Sequence, residues 1–500
     1  MTLREISAAL DKPVVSGSLD TEISGLTYDS RKAGPGIAFF ALRGAIADGH
    51  GYIDKAIAAG VSAIVAEQAP PEDAGVPWVH VRSTRVALAQ AAAVLHGHPE
   101  RGLKIAGVTG TNGKTTTVFL IHHLLNRAQQ RCGMLGTVIY DLGGNEIPAT
   151  HTTPESLEIQ DLLARMRDNG CRAVAMEVSS HALHQERVHG LSFGAAVFTN
   201  LTQDHLDYHL TMEAYFEAKV RLFEKVAEQR KGQMIINYDD TWGRKLVTRF
   251  AHTERISTFG FGVGADYRAS NVRYDLTGTS FELEVKGRSF LVRLPLIGDF
   301  NVHNALGALA AVHAMGLNLR ESVTHLQQAP QVPGRLERVT EHTRFQVFVD
   351  YAHTPDALVN VLRTLRSLRP SRIITVFGCG GDRDRTKRPR MAAAAEEGSD
   401  ICVLTSDNPR GEDPEQIIAD AAKGFARPRQ HALITDRRDA IRVALEGARA
   451  GDIVLVAGKG HEDYQEIAGK RHEFDDRKVV RQHLQRMRIA QAEASELPER

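Results

Sequence analysis

Short apolar runs alternate with helical patterns along most of the chain, and this alternation predicts its secondary structure. Helical patterns lie between most of the runs, including those over 52–59 and 213–223. Alternating residues over 279–285 and 290–294 predict a hairpin, and the pattern over 302–315 predicts a helix that packs on it. The runs that predict strands are 38–42, 63–66, 78–81, 172–178, 195–198, 234–236, 345–349, 373–377, 401–405, 433–434 and 453–456.

Two stretches rich in breaker residues, 98–102 and 330–335, divide the chain. Because strands alternate with helices on both sides of each stretch, we predict an α/β fold in three domains. The predicted domains are a small N-terminal α/β domain (1–100), a central ATPase-type α/β domain with a mostly parallel sheet (101–334) and a C-terminal Rossmann-like domain (335–500).

The segment 105–117 joins an apolar run, a glycine-rich turn and a helical pattern. The run predicts a strand, and the apolar residues after the turn predict a helix. Gly107, Gly110 and Gly113 let the backbone bend so that successive N–H groups face one anion, and the helix N-terminus adds partial positive charge. The segment is therefore interpreted as a phosphate-binding loop.

Lys114 and Thr115 supply the polar side chains at the end of this loop. In such loops the lysine holds the β- and γ-phosphates and the hydroxyl binds magnesium. The generic pattern G-x-x-x-x-G-K-[ST] is missed by one residue, because Val108 stands where its first glycine should be. The strand and helix around the loop support the interpretation, and ATP with Mg²⁺ is the predicted cofactor.

Bulk composition excludes several other classes of protein. The 500 residues include 61 basic and 61 acidic side chains, so the chain lacks the electrostatic footprint of a nucleic-acid-binding protein. No signal segment or apolar stretch long enough to span a bilayer is seen, so membrane insertion is not expected. Four cysteines without C-x-x-C spacing favour free thiols in a reducing cytoplasm. They are Cys132, Cys171, Cys379 and Cys402.

Carboxylates and histidines follow two predicted strands of the central domain, in the turns 177–181 and 199–209. Ligands bind at this edge of open α/β sheets. A zinc protease is not favoured, because Leu206 replaces the glutamate that such sites need after the first histidine. The helical pattern of 213–223 alone predicts a solvated Lys219. The residues of the second turn that could support a metal or act as a base are Asp204, His205, Asp207 and His209.

The C-terminal domain carries polar or glycine-rich turns after four predicted strands. Arginines are concentrated in 382–388 and recur at Arg410. Planar guanidinium groups hold carboxylates through two hydrogen bonds, so an acidic substrate or amino acid is expected there. A nucleotide site on one domain and an acid site on another describe a ligase whose domains close to align the reactants. The four turns are 350–355, 378–384, 406–413 and 458–462.

Six motifs of this sequence resemble those of the Mur ligases of peptidoglycan synthesis, and the resemblance extends over all three predicted domains. Val108 fits as well, because the family's form of the phosphate loop lacks the first glycine. The turn 407–410 resembles that of the members that add meso-2,6-diaminopimelate to UDP-N-acetylmuramoyl-L-alanyl-D-glutamate. The motifs are G-T-N-G-K-T-T (110–116), E-V-S-S-H (177–181), T-N-L-x-x-D-H-L-D-Y-H (199–209), N-V-H-N (301–304), P-G-R-L-E (333–337) and D-Y-A-H-T-P (350–355).

The resemblance implies that ATP phosphorylates the D-glutamate carboxylate and that the diaminopimelate amine attacks the acyl phosphate, releasing ADP and phosphate. A cytoplasmic monomer is expected. One magnesium ion would be supported by Thr115 and Glu177, and a second by His205 and by Lys219 as a carbamate. The implied catalytic residues are Lys114, Glu177, His205, Lys219, Asp350 and His353. The implied nucleotide contacts are Gly110, Thr111, Asn112, Gly113, Lys114, Thr115, Thr116, Asn301 or Asn304, and Arg335.

Further positions match the family's substrate contacts. Arg410 would fork onto the far carboxylate of diaminopimelate; a lysine substrate has no such carboxylate and would leave the arginine unpaired. The UDP-sugar dipeptide, held largely by the N-terminal domain, would contact Tyr28, Ser30, Ala45, Ile46, Ala47, His151, Thr152, Thr153, Ser179, Gln185 and Arg187. Diaminopimelate would contact Arg383, Asp407, Asn408, Pro409, Arg410, Gly458 and Glu462.

Two other functions fit the sequence less well. A folylpolyglutamate-type ligase would share the phosphate loop and the carbamate lysine, but the turn 407–410 and the N-terminal α/β domain argue against it. A nucleotide-dependent switch or scaffold is disfavoured because the sequence has no guanine-reading N-K-x-D motif.

Overall fold

The computed structural model describes residues 1–44, 47–339 and 344–496. By internal contacts the chain forms two compact units. Unit 1 comprises Met1–Ala269, Leu283–Phe290 and His303–Leu326; unit 2 comprises Ser270–Glu282, Leu291–Val302 and Gln327–Arg500. Within the described part of the chain, no helix combines the length and apolar character needed to cross a membrane.

The N-terminal part of unit 1 contains a five-stranded sheet with the order β1-β5-β4-β3-β2. β2 to β5 run parallel, and β1 pairs antiparallel with β5 at the edge. Its core packs Leu3, Phe40, Val65 and Leu88 between the sheet and its helices. The strands are β1 (Val14–Ser16), β2 (Gly25–Thr27), β3 (Ile37–Phe40), β4 (Ala63–Ala66) and β5 (Trp78–His80). The helices are α1 (Leu3–Ala8), α2 (Ile53–Ala58) and α3 (Thr84–Leu95).

The next sheet has eleven strands in the order β16-β15-β14-β13-β12-β11-β6-β10-β7-β8-β9. The strands from β14 to β7 in that order run parallel, and β8 and β9 are antiparallel. The strands are β6 (Lys104–Thr109), β7 (Cys132–Leu135), β8 (Ile139–Asp141), β9 (Glu146–Pro148), β10 (Ala173–Glu177), β11 (Phe193–Phe198), β12 (Gln233–Asn237), β13 (Ile256–Gly260), β14 (Tyr267–Asp275), β15 (Gly278–Val285) and β16 (Arg288–Leu294).

Strand register in this sheet brings three loops to one edge. β6 lies between β10 and β11, with Val108 opposite Glu177 and Thr109 opposite Phe198. The turns after Thr109, Glu177 and Phe198 therefore begin side by side. The helices that follow these strands are α4 (Lys114–Arg127), α5 (Ser156–Asp168), α6 (Ser180–His184), α7 (Leu206–His209), α8 (Met212–Glu228), α9 (Thr241–Arg249), α10 (Asp299–Ala314) and α11 (Leu319–Leu326).

Unit 2 is built on a six-stranded sheet with the order β17-β18-β22-β19-β20-β21, in which only β17 runs antiparallel. A separate hairpin, β23–β24, follows β22. The strands are β17 (Glu337–Arg338), β18 (Gln346–Asp350), β19 (Ile373–Cys379), β20 (Ile401–Ser406), β21 (Ala432–Leu433), β22 (Ile453–Ala457), β23 (Tyr464–Ile467) and β24 (Lys470–Glu473). The helices are α12 (Pro355–Ser367), α13 (Lys387–Gly398), α14 (Pro414–Ala422), α15 (Arg437–Glu446) and α16 (Asp476–Glu496).

The α/β fold with mostly parallel sheets is confirmed, and the predicted strands lie within two residues of the observed ones. The short strands β1, β2, β7, β8 and β9 were not predicted, and neither were β13, β14, β17, β23 and β24. Their sequences lack a strong apolar run, as in β9 (E-I-P) and β24 (K-R-H-E). These strands are held by sheet neighbours rather than by their own apolar pattern.

Candidate active site

The connection from β6 to α4 requires glycine at two positions. Gly110 has φ +147° and Gly113 has φ +88°, values that side-chain-bearing residues rarely adopt. A Cβ atom at Gly110 would collide with Thr199 Oγ1, and one at Gly113 would collide with Asn304 Oδ1. The loop is thus closely packed against the turn after β11 and against α10.

Two amides of the loop already have partners inside the protein. Thr111 N donates to the carbonyl of Asn200 at 2.9 Å, and Asn112 N donates to Asn200 Oδ1 at 2.9 Å. The expectation that successive loop N–H groups all face one anion is therefore wrong for these two. The amides that start α4, with the helix dipole behind them, are the better candidates for phosphate contacts.

Two lysines converge on one carbonyl of this loop. Lys114 Nζ donates to Gly110 O at 2.9 Å and to Thr111 O at 2.8 Å, and Lys219 Nζ donates to the same Gly110 O at 2.9 Å. Lys219 is 1% exposed. Burial, with the nearby charge of Lys114, holds the pKa of Lys219 well below its usual range.

The prediction from the helical pattern that Lys219 is solvated is wrong. On α8 the residue lies one turn after Tyr215 and one turn before Phe223, and all three are buried. The Tyr215 hydroxyl reaches Thr111 Oγ1 at 3.2 Å, and the Lys219 ammonium lies 4.4 Å from the centre of the Tyr215 ring. α8 therefore contacts the phosphate loop through two side chains spaced by one turn.

Glu177 ends β10 beside the loop and is 1% exposed. Its Oε1 accepts a hydrogen bond from Thr137 N at 2.8 Å, and its Oε2 accepts one from Thr137 Oγ1 at 3.1 Å. Thr115 is also buried, in the first turn of α4. Within residues 1–44, 47–339 and 344–496, no group of three or more His, Cys, Asp or Glu side chains could hold a metal ion.

His205 belongs to a cluster of rings in the turn after β11. Its ring packs edge-on against His181 with centroids 4.9 Å apart, and His181 packs on Tyr208 at 4.2 Å. His209 stacks on Tyr215 and forms a hydrogen bond of 2.9 Å with Ser180 Oγ. Burial, aided by the neighbouring imidazoles, lowers the pKa of both His181 and His209 to about 4. The cluster is thus neutral near pH 7 at these two positions.

Five residues predicted to contact the UDP-sugar dipeptide are brought together in unit 1. Thr153 Oγ1 donates to the Glu177 carbonyl at 2.9 Å and accepts from Ser179 N at 3.0 Å. Arg187 donates to Thr153 O at 2.8 Å and to Gln185 Oε1 at 2.7 Å. Thr152 Oγ1 lies 3.1 Å from Thr137 Oγ1, which also contacts Glu177. This substrate set and the metal set thus share one edge of the sheet.

The other predicted contacts of the UDP-sugar dipeptide are less tightly organised. Tyr28 donates to Glu158 Oε1 at 2.7 Å, and burial with this carboxylate raises the pKa of Tyr28. Ser30 begins a short 3₁₀ helix (Ser30–Lys32), and Ala47 and His151 are exposed. Ala45 and Ile46 lie outside the described residues.

The two predicted nucleotide contacts of α10, Asn301 and Asn304, differ in surroundings. Asn304 Oδ1 accepts a hydrogen bond from Thr117 Oγ1 at 3.4 Å and faces Gly113 of the phosphate loop. Asn301 is buried, and its amide donates to Ile297 O at 2.9 Å. Asn304 is therefore the one that lies at the loop.

In unit 2, Asp350 ends β18 next to Arg335. Its carboxylate oxygens accept hydrogen bonds from Leu336 N at 2.6 Å and from Ala352 N at 2.7 Å. Arg335 lies 4.6 Å from the centre of the Tyr351 ring. His353 Nδ1 lies 2.8 Å from the Tyr351 carbonyl. The three predicted residues Arg335, Asp350 and His353 are thus organised around Tyr351.

The turn after β20 forms a second cluster in unit 2. Asn408 Nδ2 donates to Glu462 Oε2 at 2.9 Å, and Asn408 Oδ1 accepts from Lys459 Nζ at 3.1 Å and from Glu466 N at 2.9 Å. A Cβ at Gly458 would lie 2.5 Å from Asp407 Oδ2. Asp407, Asn408, Gly458 and Glu462, four of the predicted diaminopimelate contacts, are therefore brought together in one cluster.

Arg410 and Arg383 occupy different settings. Arg410 has φ +51°, and its side chain donates to Gly381 O at 2.7 Å and lies 3.7 Å from a Glu466 oxygen. Arg383 is exposed, and its guanidinium contacts only the Asp382 carbonyl, at 3.3 Å, among the described residues. Arg410 is therefore held in the cluster, whereas Arg383 does not take part in the hydrogen bonds of the cluster.

Models of three protein-family domains match the segments of the chain that form these clusters. The Mur ligase family catalytic domain matches residues 22–96, the Mur ligase middle domain matches 108–312, and the Mur ligase glutamate ligase domain matches 334–460. A protein of Solibacter usitatus named UDP-N-acetylmuramoyl-L-alanyl-D-glutamate–2,6-diaminopimelate ligase is 46% identical over 97% of this chain and 98% of its own length. The chain belongs to the Mur ligase family.

Other relatives are similar in sequence or fold over nearly the whole length of this Mur ligase. A protein of Syntrophomonas wolfei with the same name is 43% identical over 97% of this chain and 99% of its own. A solved structure of that name has 36% identity and a TM-score of 0.69, covering 98% of this chain and 99% of the other. MurF of Thermotoga maritima in complex with ADP, at 20% identity and a TM-score of 0.62 over 93% of this chain and 97% of its own, shares the fold.

Several residues of this Mur ligase near the predicted site were not singled out from the sequence. Asn200 holds the phosphate loop, Thr137 holds Glu177, and Lys459 joins Asn408 to Glu462. Asn200 and Lys459 stand inside turns that were recognised, so their positions carried a signal. Thr137 follows β7, a strand that was not predicted, and no motif marks it.

Titration of Asp350 should change the stability of this Mur ligase with pH. Burial raises the pKa of Asp350 to about 6, with Arg335 opposing the rise. Between its unfolded pKa near 4 and about 6, the folded state holds the proton and the unfolded state releases it. The stabilisation is therefore complete below pH 4 and is lost as pH rises through 6, by up to about 3 kcal/mol.

Asp350→Asn isolates this effect because asparagine does not titrate. Free energies of unfolding in urea should be measured for both proteins from pH 4.5 to 7.5. The advantage of the wild type over the variant should shrink as pH rises. A difference that stays constant over this range would contradict the raised pKa.

Proposed function

We propose that this Mur ligase uses ATP to join meso-2,6-diaminopimelate to the D-glutamate carboxylate of UDP-N-acetylmuramoyl-L-alanyl-D-glutamate. The observation that carries the proposal is the similarity of the whole chain to ligases named for this reaction. Residues 1–100 would hold the UDP-sugar, 101–334 the ATP and 335–500 the amino acid. We also infer that the protein is cytoplasmic and monomeric. Sedimentation at the mass of one 54.9 kDa chain would test the monomer.

The reaction needs two bond exchanges. A D-glutamate carboxylate oxygen attacks the γ-phosphorus of ATP, the bond to the bridging oxygen breaks, and ADP leaves. The diaminopimelate amine then attacks the acyl carbon, the carbon–oxygen bond to phosphate breaks, and the amine loses a proton. A carboxylate resists attack by amines until its oxygen becomes a phosphate leaving group. Lys114 would neutralise negative charge as it develops on the phosphoryl oxygens.

The phosphate loop is suited to a triphosphate. Gly110 and Gly113 adopt positive φ, the chain then leads directly into the N-terminus of α4, and Lys114 lies over the loop. Magnesium would supply charge neutralisation for the phosphoryl group, with one ion held by Thr115 and Glu177 and a second by His205 and modified Lys219. Glu177 is kept oriented for this role by the two hydrogen bonds from Thr137.

The position of Lys219 supports its conversion to a carbamate. Two side-chain ammonium groups that share the Gly110 carbonyl in a buried site repel each other. The neutral Lys219 amine that this environment favours can add to the carbon of CO₂ and release one proton to water, which gives an anion with two oxygens. The repulsion with Lys114 becomes attraction, and the buried site gains a metal ligand.

Recognition of diaminopimelate would depend on Arg410. Gly381 O and Glu466 hold its guanidinium in the turn that also contains Asn408. A guanidinium pairs with a carboxylate through two parallel hydrogen bonds. Diaminopimelate carries a second carboxylate at its far end, and lysine ends in an amine. Lysine would therefore leave Arg410 without its partner, which is a strong basis for discrimination.

One assay tests the proposed function directly. Purified protein is supplied with ATP, Mg²⁺ and UDP-N-acetylmuramoyl-L-alanyl-D-glutamate, and phosphate release is compared with diaminopimelate and with lysine. We expect release chiefly with diaminopimelate. Equal use of lysine would overturn the specificity, and ATP turnover that needs no amino acid would favour a nucleotide switch instead.

Arg410→Lys should weaken the choice between diaminopimelate and lysine. Lysine keeps one positive charge but cannot form two parallel hydrogen bonds. We expect the ratio of kcat/KM for diaminopimelate over lysine to fall about 10- to 100-fold, with KM for ATP unchanged. The exposed Arg429 provides a matched control, since Arg429→Lys should leave the ratio as it is. An unchanged ratio in Arg410→Lys would show that this arginine does not read the carboxylate.

A further inference from the structure

Lys459 is a fully buried lysine inside the amino-acid cluster of unit 2. It follows β22 in the same turn as Glu462, and its side chain is 0% exposed. A lysine in this position has lost its hydration, so its charge must be balanced by groups inside the protein. The partners of its ammonium therefore indicate what the residue does.

The ammonium of Lys459 contacts three side chains that were predicted to meet diaminopimelate. Nζ donates to Asn408 Oδ1 at 3.1 Å and to Glu462 Oε2 at 3.0 Å, and it lies 4.0 Å from Asp407 Oδ1. The Tyr464 ring covers it, with the ring centre 5.4 Å away. The Lys459 ammonium thus balances the negative charges of Asp407 and Glu462 and holds the side-chain amide of Asn408 in place.

Glu462 Oε2 accepts from both Lys459 and Asn408. In the part of the chain that the structure describes, no group donates a hydrogen bond to Glu462 Oε1. The carboxylate side chain is 17% exposed, whereas Lys459 has no exposed surface. One oxygen of Glu462 is therefore held in place from behind, and the other is left to accept a hydrogen bond from outside the cluster.

We propose that Lys459 is a positioning residue for the incoming amino acid, which acts through Glu462 without touching the substrate. Glu462 would accept hydrogen bonds from an ammonium group of diaminopimelate. The charge of Lys459 keeps Glu462 and Asp407 from repelling each other, and its two hydrogen bonds fix the direction of the Glu462 carboxylate. This inference rests on the proposed function, because it assumes that diaminopimelate binds in this cluster.

Lys459→Met keeps the length of the side chain and removes its charge and donors. We expect KM for diaminopimelate to rise about tenfold or more, since the remaining carboxylates lose their shared cation. KM for ATP and for the UDP-sugar dipeptide should stay within about twofold, and kcat at saturating diaminopimelate should change less than KM. A variant that loses only structural support would instead change all three KM values or only the thermal midpoint.

A double-mutant cycle with Glu462 tests whether Lys459 acts through that residue. Glu462→Gln alone should raise KM for diaminopimelate, and Lys459→Met/Glu462→Gln should raise it no further. Additive increases would overturn the proposal. If Lys459→Met does not fold, the double variant is used instead, because it does not leave the Glu462 carboxylate without its cation. A KM for diaminopimelate above that of Glu462→Gln would then overturn the proposal.

Lys478 offers a matched control in the same unit. It pairs with Glu473 at 3.0 Å, but both side chains are largely exposed, so Lys478→Met should leave KM for diaminopimelate unchanged. Two failures can be told apart. Wild-type protein that releases no phosphate with diaminopimelate refutes the proposed function. Wild-type protein that does so, with Lys459→Met showing an unaltered KM, refutes only the role of Lys459.

Discussion

Lys114→Met should lower kcat for ligation by about 10²- to 10³-fold or more. The ammonium of Lys114 is held over the phosphate loop by the carbonyls of Gly110 and Thr111. Methionine keeps the aliphatic stem and removes the charge that would stabilise the transferring phosphoryl group. Phosphate release with all substrates at saturation measures the effect.

The exposed Lys231 supplies the control, because Lys231→Met removes one lysine of unit 1 away from any motif. Its kcat should equal that of the wild type. Circular dichroism of Lys114→Met should match the wild type, since the loss is electrostatic. A Lys114→Met enzyme that keeps more than about a tenth of the wild-type kcat would exclude a role for Lys114 at the phosphoryl group.

Lys219→Met should reduce ligation by about 10³-fold, the second of the two large effects. If Lys219 carries a carbamate, the change removes an anionic metal ligand, and a thioether cannot replace it. The variant should also bind Mg²⁺ more weakly in the presence of ADP, which isothermal calorimetry measures. Activity and metal affinity should fall together.

Lys225 lies on the same helix, α8, and forms a partly exposed ion pair with Glu186. Lys225→Met should retain both activity and metal affinity. Direct detection uses ¹³C-labelled bicarbonate, which should give a carbamate resonance in wild-type protein and none in Lys219→Met. Full activity in wild-type protein that lacks this resonance would refute the modification.

The sequence was sufficient for the phosphate loop because its chemistry is local. Glycines at 110 and 113, the strand before them and the helix after them all lie within one short segment. The strands with long apolar runs were predictable for the same reason, since burial on both faces of a parallel sheet leaves a local apolar pattern. The family's residue pattern then placed Thr153, Ser179 and Arg187, which the structure brings into contact.

Other features depend on contacts between distant segments and could not be predicted in this way. Thr137 reaches Glu177 across 40 positions, and Asn200 takes two loop amides that appeared available for an anion. Lys219 is a different case. Its spacing of four from both Tyr215 and Phe223 placed it on the apolar face of α8, so a stricter use of the helical period would have predicted its burial.

The contact between α8 and the phosphate loop also provides an optical probe. The chain has only two tryptophans, at positions 78 and 242. Trp242 packs on Phe216 of α8, with ring centres 5.0 Å apart, and the adjacent Tyr215 touches the loop. Trp78 lies in the core of the N-terminal sheet. In a Trp78→Phe variant, Trp242 would be the single tryptophan, and its fluorescence would report on α8, the helix that contacts the phosphate loop. Nucleotide binding could then be titrated without an attached dye.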